Sequence, residues 1–471
     1  MKKFLTLAIA FLGLMNVSCS DDITDNPETA AAPAVQQSSD DELERYLNSA
    51  GINATVVSSS VIPPEQMADR LYGGANAGNS AARQKFLDEC RHMDDSLAAT
   101  TRAVGRVSDG ALCAFKTDSV HYQSVDEKGN PITLSAFLAY PGYRWANKEG
   151  FKDTKARHIV LMCPHTHCSD PECATSCDGK GTEYLGLQAI SLYIMPDGQG
   201  FGASKDYDQP YLNHNLQAKQ LYDGLCAAYY KYINGLGEMT RNWTLHVCGA
   251  SQGGGDAMAV HKYLDTHEDL AKLWHFEYSN VCVGPYSPSA TLKQYMEDGY
   301  TTYPCVMPMV IKTMRNANPW FAEKYKEEDF FSDKYNELVK DSVDYHLKKK
   351  DLSSDKLMNF IWTLRTSEER DKVTEYNYIY LTNLLSADVL NPNTQIHKDL
   401  MKCLAEQDLD KGWRPIHPTR IYCSKGDQIV PYVNSVKLQE FFTANGMTPR
   451  VRTGNGSHET TILWWVAAAT Y

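Results

Sequence analysis

Cys248-Gly249-Ala250-Ser251-Gln252-Gly253-Gly254-Gly255 is the stretch that decides the fold. It contains G-x-S-x-G, with an apolar strand-like run, Thr244–Cys248, before it and a helical pattern, Gly253–Leu264, after it. A serine on so sharp a strand-to-helix turn has a strained backbone that projects its hydroxyl. Gly249 and Gly253 are read as required there, because side chains would collide at such a turn. The helix behind Ser251 would offer backbone N–H groups and a positive dipole end to a developing negative charge. Ser251 is therefore the candidate nucleophile.

Working outward, apolar strands alternate with amphipathic helices. His158–Met162, Ala189–Met195, Trp243–Cys248, His275–Val283 and Arg420–Cys423 read as strands. Pro210–Asn234 contains a helix with Leu212, Leu216, Leu221 and Leu225 on related faces, and Tyr432–Asn445 reads as another. Cys113–Ser124 and Ile132–Tyr140 form a hairpin through the turn residues 126–130. This alternation predicts an α/β fold with a mostly parallel, doubly wound sheet, built from residues 111–288 and 411–471. Residues 289–410 break the rhythm, being charged and mainly helical, and read as an inserted helical cap. Residues 42–110 read as a mostly helical segment without assigned chemistry.

A serine hydroxyl needs a base, and the base needs an orienting carboxylate. Asp427 stands in Gly426-Asp427-Gln428-Ile429-Val430-Pro431, just past a strand, and His458 in the glycine-rich loop Gly454-Asn455-Gly456-Ser457-His458. The rival histidines, His397 and His417, precede the acid in the chain and fall out of order. One oxyanion donor is expected from Gln252, the residue after the nucleophile. The other is expected from Cys163-Pro164-His165-Thr166-His167, through either Thr166 or His165.

The order Ser251, Asp427, His458 is that of the α/β-hydrolase fold. The resemblance narrows at Pro196-Asp197-Gly198-Gln199-Gly200-Phe201-Gly202, which leads to Gln209-Pro210-Tyr211-Leu212. With Val283-Gly284-Pro285-Tyr286, this is similar to secretory-lipase-like α/β-hydrolases over roughly residues 111 to 471. Asp197-Gly198 replaces that family's Asp-Tyr. The resemblance implies a serine esterase or lipase that needs no cofactor, with the glycine-rich stretch shaping the pocket floor.

The formal net charge of -12 argues against nucleic acid, whose phosphates require clustered Lys and Arg. Lys2 and Lys3, the apolar run Phe4–Val17 and then Val17-Ser18-Cys19 resemble a bacterial lipoprotein signal over residues 1–19, with Cys19 as the lipidated residue. Asn16 departs from that pattern, and an ordinary secretory signal is the alternative. Ser20-Asp21-Asp22 resembles the surface-export signal of Bacteroidetes lipoproteins, and residues 20–41 read as a disordered tether. These features predict an exported protein held at the outer membrane by a lipid anchor.

Cys163, His165, His167, Cys168, Cys173 and Cys177 crowd together but lack a C-x-x-C pair, so no metal is assigned. A short-loop disulfide among Cys168, Cys173 and Cys177 fits an exported protein better, with free cysteines as the alternative. The glycine runs lack the G-x-G-x-x-G of a dinucleotide site. The expected activity is hydrolysis of a lipid, an acylated glycan or a small ester. A serine peptidase of the same fold is the alternative, and a non-catalytic surface lipoprotein the third reading. The cap should lie near Ser251, because loops at the C-terminal ends of parallel strands face the site. Its aromatics, including Tyr295, Tyr303, Trp320, Phe321, Phe330, Phe331, Phe360 and Trp362, would either face the pocket or pack the cap's own core.

Overall fold

The computed structural model describes residues 42–52, 54–62, 69, 81, 84, 111–145, 151–153, 155–177, 191–235, 237–371 and 376–468. Cys19 and the tether lie outside them. No helix among the described residues is long and apolar enough to cross a membrane.

One large sheet runs in the order β1-β2-β3-β6-β5-β7-β8-β11-β12, with β4 beside β3. Its first three strands, β1 (Ala54–Ile62), β2 (Ala111–Val125) and β3 (Pro131–Trp145), pair antiparallel, and β3 also takes β4 (Phe151–Asp153). β3 joins antiparallel to β6 (Ser191–Pro196). From there β6, β5 (Lys155–Cys163), β7 (Glu238–Ala250), β8 (Phe276–Cys282), β11 (Thr419–Ser424) and β12 (Arg450–Gly454) are all parallel. This mostly parallel sheet, with helices packed on it, is the α/β-hydrolase fold.

The central parallel strands are apolar on both faces, as strands covered by helices must be, while the edge strand β12 is largely exposed. Ile159 and Leu161 point into one core, with Leu221, Leu225, Met258 and Val260 of the helices His214–Asn234 and Gln252–Thr266. Val160 and Met162 point into the other, with Tyr193, Cys248, Tyr422 and Trp465 of the last helix, His458–Ala468. Burying each such side chain contributes roughly 1.5–3 kcal/mol. Trp465 also donates its indole N–H to Asn280 Oδ1 at 2.9 Å, so the terminal helix is fixed by a directional bond as well.

Of residues 42–110, read as a mostly helical segment, the described part forms the helix 42–49 and then β1, and almost all of 63–110 lies outside the described residues. β1 completes the sheet's edge against β2, with a bulge between Val56 and Ser58. Between β8 and β11 the chain forms a run of short helices and a two-stranded ribbon, β9 (Tyr300–Thr301) with β10 (Ile379–Tyr380). This insertion packs into a second core, centred on Phe321, Phe330, Phe331, Tyr335 and Ile361, which also takes in Cys168, Tyr211 and Leu212.

Candidate active site

Ser251 sits between β7 and the helix Gln252–Thr266 at φ 57 and ψ -129, a left-handed conformation that costs a non-glycine residue free energy. The turn is held by Ser251 N–H donating to Cys282 O at 2.9 Å. A Cβ on Gly249 would strike the Gly253 carbonyl. A Cβ on Gly253 would strike the Cys163 carbonyl at the end of β5. The two glycines thus let the elbow close on itself and press against the loop that follows β5.

Three side chains from separate loops meet here. His458 Nε2 lies 2.9 Å from Ser251 Oγ, and His458 Nδ1 lies 2.8 Å from Asp427 Oδ2. Asp427 Oδ1 accepts the backbone N–H groups of Ile429 at 2.9 Å and Val430 at 2.8 Å, which leaves Oδ2 aimed at the imidazole. His458 is 4% exposed, so its environment sets its protonation. Burial pushes the imidazole pKa down, but the charge and hydrogen bond of Asp427, with Glu459 nearby, outweigh it and hold the pKa above the ordinary value.

Further residues position this set, none of them given that role in the sequence, where Tyr295 reads only as a cap aromatic. Gln428 Oε1 accepts the His458 backbone N–H at 3.1 Å, while its Nε2 donates to Glu459 Oε2 at 3.1 Å. The inserted segment reaches the acid loop directly. Tyr295 donates its hydroxyl to Ile429 O, and Thr302 donates to Gln428 O. Nothing local in the sequence marks these contacts, because each joins residues 30 or more positions apart.

Gln252 is 2% exposed at the first turn of the helix. The loop 163–167 packs against the elbow, and Thr166 Oγ1 lies 3.1 Å from the hydroxyl of buried Tyr211. The Pro210-Tyr211-Leu212 stretch therefore braces this loop. His165 stacks edge-on against His167, with ring centroids 4.3 Å apart. Asp197 is buried and accepts from Ser135 Oγ, Thr175 Oγ1 and the Thr175 N–H, tying β3 to the loop after β5.

The rival histidines lie elsewhere. His397 Nδ1 faces Val389 O at 2.8 Å, and His417 Nδ1 lies 2.6 Å from Asp265 Oδ1. Asp265 also faces His261, whose Nδ1 is 2.7 Å from Ser279 Oγ. Ser279, His261 and Asp265 thus copy the composition of the Ser251 set, but Ser279 and His261 are 0% exposed, so the cluster can reach no substrate. Cys168, Cys173 and Cys177 are free thiols, so the expected short-loop disulfide is not formed. Cys173 and Cys177 instead turn to Asp170 and Ala174 within their own loop. Among the described residues one group, His158, His246 and Glu277, gathers metal-ligand side chains, with ligand atoms within 4.8 Å of one another. It belongs to β5, β7 and β8, and none of its residues contacts the Ser251 set.

Of the cap aromatics, Tyr295, Phe321, Phe330 and Phe331 are buried in that second core, with Tyr303, Phe360 and Trp362 packed against it. Trp320 is exposed.

No family model matches this chain, and no curated relative matches it. Among solved structures, the chain is similar to the rice cell wall degrading esterase LipA of Xanthomonas oryzae, at TM-score 0.62 and 18% identity over 88% of this chain and 96% of that one. A Legionella pneumophila protein assigned as a hydrolase matches at TM-score 0.57 and 14% identity, over 88% of this chain and 95% of that one. The class of protein is therefore set by its fold: this chain is an α/β-hydrolase-fold protein. At these identities the likeness concerns the fold, and the chemistry must be argued from the site itself.

Proposed function

We propose that the chain is a serine hydrolase that cleaves carboxylic esters through an acyl-enzyme. The observation that carries this reading is the unbroken line from Ser251 Oγ through His458 to Asp427 Oδ2, at 2.9 and 2.8 Å. Ser251 Oγ attacks the ester carbonyl while His458 Nε2 takes its proton and then gives it to the leaving alcohol. Asp427 holds the Nδ1–H tautomer and stabilises the imidazolium. The developing oxyanion is met by the backbone N–H of Gln252 and by a second N–H from Thr166 or His165, at a helix N-terminus where negative charge is favoured. Water then attacks the acyl-enzyme through the same histidine. The mechanism calls for no cofactor.

The substrate class is a lipid, acylated glycan or small ester, and the neighbour named as a cell wall degrading esterase is consistent with the glycan option. We place the protein outside the cytoplasm, tethered to the outer membrane by a lipid on Cys19. Fatty-acid incorporation that survives in the wild type and is lost in Cys19→Ser tests that anchor. The test of the chemistry is fluorophosphonate labelling of the wild type and Ser251→Ala, followed by a panel of esters and peptides. Labelling that persists in Ser251→Ala removes the reading, and cleavage of peptides alone replaces it with a peptidase.

A further inference from the structure

A small cavity of about 20 Å³, room for one water-sized particle, lies directly behind the elbow, lined by the helices that begin at His214 and Gln252 and by the loops after β5 and β6. Two buried carboxylates face it, Asp197 at 2% and Asp256 at 0% exposure, and no lysine or arginine among the described residues lines it. Asp197 is satisfied by Ser135 and Thr175. Asp256 is satisfied on one side only. Its Oδ2 accepts from Gln217 Nε2 and Gln252 Nε2, each at 3.3 Å, while its Oδ1 has no partner.

Two more acceptors share that condition. Gln217 Oε1 and Gln220 Oε1 are buried and have no partner, and both residues line the cavity. Their amides cannot be turned round to change this. Gln220 Nε2 donates at 2.8 Å to Val125 O and at 2.8 Å to Gln199 Oε1. Gln199 is fixed in turn, because its Nε2 donates to Asp208 O and Glu127. Gln217 Nε2 is held by Asp256. Three residues from two helices that line one cavity thus each carry a buried oxygen with nothing to accept from. A buried acceptor without a donor costs about 1–3 kcal/mol, and a buried charge costs more. Burial also drives the Asp256 carboxyl well above the usual carboxylate range, so its ionised form requires a positive partner.

The position sharpens the requirement. Asp256 stands one helical turn from Gln252, whose N–H faces the developing oxyanion in the proposed reaction. An uncompensated carboxylate there would oppose the charge that the helix N-terminus is placed to stabilise. A carboxylate and two amide oxygens are the ligand chemistry of a small hard cation.

We propose that this cavity binds such a cation through Asp256 Oδ1, Gln217 Oε1 and Gln220 Oε1, and that the ion braces the oxyanion side of the site. The second half rests on the hydrolase reading; the binding itself does not. The experiment takes the full chain, stripped with a chelator, and titrates Ca²⁺ and separately Na⁺ while following heat release and thermal unfolding. One ion bound per chain and a rise in the unfolding midpoint are expected. Asp256→Asn should weaken binding at least about tenfold, and so should Gln217→Met, which keeps the side chain's length and removes its acceptor. Ser251→Ala should bind as the wild type does. A wild type indifferent to both ions, with Asp256→Asn equally stable, would mean a protonated acid and overturns the proposal. Unchanged binding in Asp256→Asn and Gln217→Met places the ion elsewhere, at His158, His246 and Glu277 for example, and overturns it too. An ion that binds as expected in a chain inactive on every ester would leave the site standing and remove only its catalytic role.

Discussion

Asp427→Asn separates orientation from mere presence of a polar group. In the wild type, Oδ1 is committed to the N–H groups of Ile429 and Val430, at 2.9 and 2.8 Å. An asparagine would keep its carbonyl oxygen on those two donors, so the acid loop should hold its shape. Its NH₂ would then face His458 Nδ1, where Oδ2 now lies at 2.8 Å. Two donors cannot meet, so Nδ1 must give up its proton and Nε2 must carry one. The imidazole would then present an N–H to Ser251 Oγ and could not remove its proton. Such a tautomer error costs about 10⁴-fold in kcat in serine proteases. At about 1.36 kcal/mol per tenfold, that is roughly 5 kcal/mol of transition-state stabilisation.

A second readout comes with it. Burial opposes the imidazolium, and Asp427 is what overcomes that opposition. In the proposed reaction His458 acts in its neutral form, so the acid limb of kcat/KM in the wild type should lie above the ordinary histidine value of 6.5. In Asp427→Asn, residual activity should have its acid limb below that value. The assay is steady-state hydrolysis of a nitrophenyl ester between pH 5 and 9, with circular dichroism to confirm folding. A folded Asp427→Asn protein within about tenfold of wild-type kcat would refute the reasoning, because that range is too small for a reversed tautomer.

The same pKa has a consequence for stability. A histidine raised in the folded state stabilises fully below pH 6.5, and that contribution is lost as pH rises through the raised value, so it fades in the range where activity appears; urea titrations across this range should show it in the wild type and not in Asp427→Asn. Tyr295→Phe and Thr302→Val each strip a donor from a carbonyl of the acid loop, and each should lower kcat by roughly 3–10-fold, as a loss of about 1 kcal/mol in positioning would; unchanged kcat in the double variant counts against that positioning role. Gly253→Ala should fail to fold or lose several degrees in unfolding midpoint, since its Cβ meets backbone carbonyls that cannot move aside, and a soluble active variant would contradict the packing at the elbow. His417→Ala should cost about 1–3 kcal/mol in denaturant unfolding by removing a partner of buried Asp265, yet leave kcat unchanged, because that cluster is sealed from substrate.

The central parallel strands are legible in the sequence because they are buried on both faces, whereas the exposed edge strand β12, Arg450–Gly454, is not. Runs such as Ile159-Val160-Leu161-Met162 are apolar without interruption, and residues alternate between two cores rather than between core and water. β1 is not legible for the opposite reason. Val57, Ser58, Ser59 and Ser60 are exposed, so the strand is held by backbone pairing to β2 and carries neither an apolar run nor a period of two. At the candidate site, Ser251, Asp427 and His458 stand out because each occupies a turn with its own glycine chemistry beside a strand or helix. Gln428, Tyr295 and Thr302 do not, since their work is done on backbone atoms far away in the chain. The cap's aromatics can be counted in the sequence, but which way a ring points depends on packing that only the fold supplies; Phe321 and Phe330 point inward, at 0% exposure.

The contacts of Tyr295 and Thr302 bear on how substrate enters. A lid that swings away at an oil–water boundary must be free of the machinery it covers. Here the covering segment and the acid loop share two hydrogen bonds, so lifting that corner would pull Asp427 out of line with His458. In the proposed hydrolase, substrate would then have to enter without displacing Tyr295 and Thr302. A hydrolase of this kind would have no reason to wait for an interface. Its rate on a short-chain ester should climb smoothly through the solubility limit of the substrate, and a sharp jump at that limit would show that the corner opens after all.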